Sequence, residues 1–132
     1  MGRRDRLGSV LQGCAVTMDP VETNPDHYSV VFENDRVRVL EYRDTPGVKT
    51  TPHGHPDSVM YTLSSFRRRL YSENGETRDV EIPGGTTAWL AAQTHAGHNI
   101  GDTDTHVIFV ELKENLTKAV RDTAPIGPAD AV

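Results

Sequence analysis

The sequence predicts an all-β fold, a single small sandwich or barrel. Three observations carry that reading. β-Branched residues are abundant, with 14 Val, 14 Thr and 4 Ile against 8 Leu and 9 Ala, and such side chains suit the pleated, half-buried surface of a sheet better than a helix. Eleven Gly and 8 Pro are spread along the chain and supply turns. Short apolar runs recur between those turns about every 8–12 residues, the spacing of a sandwich or barrel.

Residues 1–26 mix Arg, Asp, Gly and Pro without a period and read as a flexible extension, with Met18 as a natural start of translation. Tyr28 to Glu33 is the first predicted strand, and Asn34-Asp35 turns it into a longer one in which Val37, Val39 and Glu41 alternate with Arg38, Leu40 and Tyr42. Pro46-Gly47 turns again before a strand over Val59 to Leu63. Phe66 to Tyr71 and Arg78 to Ile82 flank Asn74-Gly75, the strongest hairpin signal in the chain, because an Asn-Gly pair tolerates positive φ. After Pro83-Gly84-Gly85 come strands over Thr86 to Leu90 and His106 to Lys113. A helical turn at Leu116 to Arg121 and a Pro-containing tail complete a division into an extension (1–26), a barrel (27–113) and a C-terminal turn and tail (114–132).

The length of 132 residues fits one domain. A formal net charge of −5 argues against a nucleic-acid binder, which presents a basic face. No apolar run reaches the roughly 18–20 residues of a membrane span. The mildly apolar stretch from Leu7 to Val16 is interrupted by Gly8, Ser9, Gln12 and Gly13, unlike a signal peptide. The expectation is a cytoplasmic protein. The single Cys14 excludes an internal disulfide framework and a multi-cysteine zinc site.

Six histidines carry the functional reading: His27, His53, His55, His95, His98 and His106. In an extended segment, His53 and His55 project from the same face. Two neutral imidazoles so placed can clamp a divalent metal, and His95 is the third ligand that another strand can supply. His27 and His106 read as surface or structural residues.

The spacing around these residues resembles the cupin family. Gly47, His53 and His55 match its first motif, Gly84, His95 and Asn99 its second, and Phe109-Val110-Glu111-Leu112 looks like the closing strand. The resemblance covers residues 28–113 and implies a jelly-roll β-barrel with a metal inside, held by His53, His55 and His95. It also implies a Glu after three or four intervening residues beyond the second histidine, where this chain has Val59 and Met60. Strand parity places Val59 on the face of the histidines, and Met60 reaches it only through a bulge.

Three arrangements follow from the missing Glu. Three histidines alone hold a divalent metal (Fe, Zn, Mn or Ni), as in similar barrels that use iron(II) for dioxygenase chemistry. Or His98 or a water fills the fourth position. Or a metal-free barrel binds or senses a small metabolite without catalysis. The first makes the chain an oxygenase, isomerase or cyclase type of enzyme acting on a small molecule; no general base is evident.

Arg68, Tyr61 and Trp89 are the candidate substrate-binding residues. Phe66, Arg68 and Leu70 share one strand face, which if inward makes Arg68 an anion-binding cation. If outward, Arg68 is a solvated residue partnered by Glu73, Asp79 or Glu81. Tyr28 to Glu33 is the edge through which similar small barrels form a homodimer.

Overall fold

The computed structural model describes residues 18–114. The predicted extension over 1–17, Cys14, the helical turn at 116–121 and the tail lie outside the described residues.

Residues 18–26 belong to the folded unit, which corrects their expected place in a loose extension. Asp19 caps a short helix α1 (Pro20–Thr23), accepting the Val21 amide at 3.0 Å, with Pro20 at the helix start and Glu22 in its first turn. These are favourable residues at each position: a carboxylate takes an orphan amide, proline lacks the amide that would be unpaired, and an acid suits the positive helix end. Asn24 follows, buried, accepting the Thr51 amide at 2.9 Å and donating to the Thr51 carbonyl at 3.2 Å.

Among the described residues nine strands follow: β1 (Tyr28–Glu33), β2 (Val37–Asp44), β3 (His53–His55), β4 (Ser58–Thr62), β5 (Phe66–Ser72), β6 (Thr77–Ile82), β7 (Thr87–Leu90), β8 (Gln93–Asn99) and β9 (Thr105–Leu112). They form two antiparallel sheets, ordered β1-β2-β9-β4-β7 and β3-β8-β5-β6. Leu40 and Tyr42 on β2, Val107 and Phe109 on β9, Phe66 on β5 and Tyr28 on β1 form the core. Burying each such side chain stabilises the fold by roughly 1.5–3 kcal/mol. Among the described residues no helix is long and apolar enough to cross a membrane.

The β5–β6 hairpin forms where expected, with a longer loop than a two-residue Asn-Gly turn. Ser72 donates its amide to the Glu76 carbonyl at 2.9 Å, and the Gly75 amide reaches Ser72 at 3.1 Å. The loop therefore spans three residues, with Gly75 in the left-handed region at φ +88°.

Two strands absent from the sequence reading, β3 and β8, carry the histidines. The chain leaves β3 at His55, crosses Pro56-Asp57 and enters β4 in the other sheet. That crossing resets side-chain parity. On β4 the even residues Ser58 and Thr62 are buried and Met60 packs on the core. Val59 pairs with Trp89 and Val110 across the outer face. Met60, not Val59, faces the interior without any bulge, contrary to the parity expectation.

Candidate metal centre

The register of the smaller sheet assembles the histidine cluster. His53 on β3 lies directly opposite His95 on β8, and His55 follows two residues on. On the other side of β8, Ser72 pairs with His95, Leu70 with Gly97 and Arg68 with Asn99. His95 thus shares the inward face of Arg68 and Leu70. One ring nitrogen from each of His53, His55 and His95 lies within 4.8 Å of the others. Ring centroids are 4.9 Å apart for His53–His55, 5.0 Å for His53–His95 and 5.1 Å for His55–His95.

The hydrogen bonds decide which nitrogen faces the centre. His53 Nδ1 lies 2.8 Å from the Thr51 carbonyl, His95 Nδ1 lies 2.8 Å from Gln93 Oε1, and His55 Nδ1 lies 3.4 Å from Glu111 Oε2. The Thr51, Gln93 and Glu111 partners are acceptors, which favours the proton on each Nδ1 and leaves each Nε2 toward the centre, while Asn24 Nδ2 also lies 3.4 Å from His53 Nδ1. This tautomer is the one that metal-ligating imidazoles adopt, with a carbonyl or carboxylate behind them.

Glu111 is 3% exposed and is itself held by Arg38, whose Nε and Nη2 both lie 2.9 Å from Oε1. Arg38 reaches on to Asp19 at 2.9 and 3.0 Å, so the helix cap, the arginine and the carboxylate behind His55 form one chain. Burial favours neutral rings. It lowers the His53 pKa to about 4, with the neighbouring His55 adding to the effect, and lowers that of His95 to about 3, aided by His55 and His53. Both rings are therefore unprotonated at neutral pH.

A cavity of about 130 Å³ adjoins the cluster. His53, His95 and Arg68 line it together with apolar residues that include Met60, Leu70 and Phe109.

Arg68 points inward and is 8% exposed, which removes the solvated-strand alternative. Its Nη1 lies 2.6 Å from Asp44 Oδ2 and 3.2 Å from Thr105 Oγ1, and the guanidinium sits 5.2 Å from the Tyr42 ring centre. Gly97 makes room for it, since a Cβ there would lie 2.5 Å from Nη2. Burial disfavours a charged Asp44, yet hydrogen bonds from Tyr42 and Asn99, together with the Arg68 guanidinium, hold its carboxyl below the usual range. The Arg68 charge is thus engaged internally by Asp44.

Tyr61 and Trp89 are corrected as substrate-binding residues. They stand on the outer face of the five-stranded sheet, 42% and 58% exposed, because β4 and β7 present their odd residues outward. His98 has the parity opposite to His95 and pairs with Arg69, so it is turned away from the centre. His27 reaches the Arg43 carbonyl at 2.9 Å and His106 reaches Glu41 at 2.7 Å, both structural roles.

Glu111, Gln93 and Tyr28 escaped the sequence reading. Glu111 had a visible signal, a carboxylate at an inward position of the alternating Val107, Phe109, Glu111 series. Gln93 also had one, since it precedes His95 by two residues on the same strand face; Tyr28 had none, because its role depends on a strand remote in sequence.

No protein-family model matches the chain, and no curated protein matches it. Solved structures do. A cupin domain from Bordetella pertussis is 26% identical, with a TM-score of 0.61 over 66% of this chain and 92% of its own. A conserved protein with a double-stranded β-helix domain from Klebsiella pneumoniae is 23% identical, with a TM-score of 0.54 over 67% of this chain and 72% of its own. An RmlC-like cupin with the same fold from Methanocaldococcus jannaschii is 11% identical, with a TM-score of 0.53 over 65% of this chain and 78% of its own. The chain is a small cupin-type domain. Its two antiparallel sheets form an all-β jelly roll whose interior carries a three-histidine group.

Proposed function

We propose that His53, His55 and His95 hold one divalent transition metal and that the domain acts on a small, largely apolar molecule in the adjoining cavity. The observation that carries this reading is the tautomeric one. Two buried imidazoles, His53 and His55, and the half-buried His95 have their Nδ1 atoms turned to acceptors. Their Nε2 lone pairs are left for a common centre, which is the donor chemistry a borderline divalent metal requires.

When bound, such an ion supplies Lewis-acid polarisation of a substrate oxygen and, if it is iron, a site for O₂. The chain's residues supply the rest. Thr51, Gln93 and Glu111 fix the ring orientations, and Arg38 holds Glu111 in place. The apolar walls exclude water and select an apolar body. A cavity of about 130 Å³ matches a molecule of roughly benzene size. With Arg68 bound to Asp44, an anionic substrate has no free cation on this wall. A neutral, enolisable molecule fits better, and an oxygenase, isomerase or cyclase type of reaction is the class in view.

The test is elemental analysis of protein purified without chelator or histidine tag. About one transition metal per chain is expected, lost in His95→Ala while the circular dichroism of the barrel persists. Metal-free wild type that also fails to take up Fe(II) or Zn(II) would leave a metabolite-binding barrel as the reading.

A further inference from the structure

Tyr28 opens β1 and is 5% exposed. Its ring packs against Tyr42, centroids 4.6 Å apart, and faces the cluster on its other side. The phenol oxygen lies 3.2 Å from His53 Nε2 and 3.5 Å from His55 Nε2. Among the described residues it has no other hydrogen-bonding partner.

Hydrogen bonding accounts for only half of this arrangement. Acceptors behind both Nδ1 atoms favour protons there and lone pairs on the two Nε2 atoms. A phenol has one proton and satisfies one of them. The second separation, 3.5 Å, then has no hydrogen between its two lone-pair atoms. A metal ion between them would use both lone pairs. A four-coordinate ion about 2.1 Å from each donor places neighbouring donors about 3.4 Å apart, the edge of a tetrahedron. The two separations of 3.2 and 3.5 Å bracket that edge.

Charge points the same way. Three imidazoles are neutral ligands, and a negative oxygen donor is what the cupin-motif Glu would add. Neither residue at its place can do so, because Met60 is a thioether and Val59 faces outward. Glu111 stands behind His55, on the Nδ1 side, and is bound to Arg38.

We propose that the Tyr28 phenol oxygen is the fourth metal donor, in place of the missing Glu; the inference rests on the three-histidine reading above. On coordination the O–H bond breaks, an oxygen–metal bond forms, and the proton passes to solvent.

Cu(II) and Zn(II) titrations of wild type, Tyr28→Phe and His95→Ala near neutral pH test it. Tyr28→Phe keeps the ring packing and removes only the oxygen. Wild type is expected to bind one Cu(II) per chain with a phenolate-to-copper charge-transfer band in the visible. Tyr28→Phe should lose that band and bind Zn(II) at least tenfold more weakly, since even outer-shell partners carry about 10–100-fold in affinity. Should Tyr28→Phe not fold, resonance Raman of the wild-type band decides: tyrosinate ring modes that survive Tyr42→Phe, Tyr61→Phe and Tyr71→Phe assign it to Tyr28. Metal binding without the band, a band retained in Tyr28→Phe, or equal Zn(II) affinities would overturn the Tyr28 role and leave the three-histidine site standing. Wild type that binds neither ion, like His95→Ala, would overturn both readings together.

Discussion

Arg68→Met isolates the buried ion pair that closes one side of the cavity. The variant keeps the length of the stem and removes the guanidinium, leaving Asp44, 5% exposed, without a cation. Breaking one side of a buried pair typically costs about 3–5 kcal/mol, because the remaining charge is stranded in low dielectric. Asp44 keeps hydrogen bonds from Tyr42 and from Asn99 Nδ2 at 3.0 Å, so the low end, about 3 kcal/mol, is expected. For a domain of about 100 residues, at about 4–8 °C per kcal/mol, that lowers the thermal midpoint by at least about 12 °C. Urea unfolding followed by far-ultraviolet circular dichroism measures it. Changing Asp44→Asn in the same chain should recover part of the loss, since no buried charge then remains unpaired. A loss below about 1 kcal/mol is the range of exposed ion pairs and would refute the burial argument.

Three further outcomes are expected. Met60→Glu, whose side chain enters the cavity, should strengthen Zn(II) binding by calorimetry at least tenfold, while destabilising the metal-free barrel by a few kcal/mol; Val59→Glu on the outer face should leave the affinity unchanged, and the reverse order would contradict the parity switch at Pro56-Asp57. Acid should destabilise the fold through Asp44, where burial is outweighed by Tyr42, Arg68 and Asn99, so the folded carboxyl titrates below its unfolded value of 3.8. Its contribution is complete above about pH 4 and is lost as pH falls through the folded value; urea midpoints that do not fall between pH 5 and pH 3 would count against it. Finally, β1 is the edge of its sheet, with Val30, Val31 and Phe32 exposed at 43%, 52% and 44%, which supports a homodimer through that edge. Light scattering should give the dimer mass at micromolar concentration and the monomer mass for Val31→Lys, and a wild-type monomer would dismiss the edge.

Much of this protein is legible along the chain because the relevant physics is local. β-Branched runs, Gly and Pro punctuation and the Asn74-Gly75 turn act over a few residues, and they specify most strands and the all-β class. The His53-x-His55 pair is legible for the same reason, since a period of two puts both rings on one side of any extended segment. The cap at Asp19-Pro20 was equally local, with a carboxylate before a proline and Glu22 two residues on, and it marks where the folded unit takes in residues 18–26.

Other features depend on which sheet each segment joins. Parity counted from His55 predicts that Val59 faces the site, yet the chain changes sheets between them and the count restarts at Ser58. Arg68 reads as solvated until Asp44 and Gly97, 24 and 29 positions away, give it a partner and a space. Trp89 and Tyr61 look like pocket walls by type, but their strands turn them outward. Tyr28 and Glu111 enter the histidine cluster from strands at opposite ends of the described chain. Sequence patterns determine which face a residue shares with its neighbours on one strand; only packing of the two sheets decides which faces meet, and therefore which side chains surround the three imidazoles.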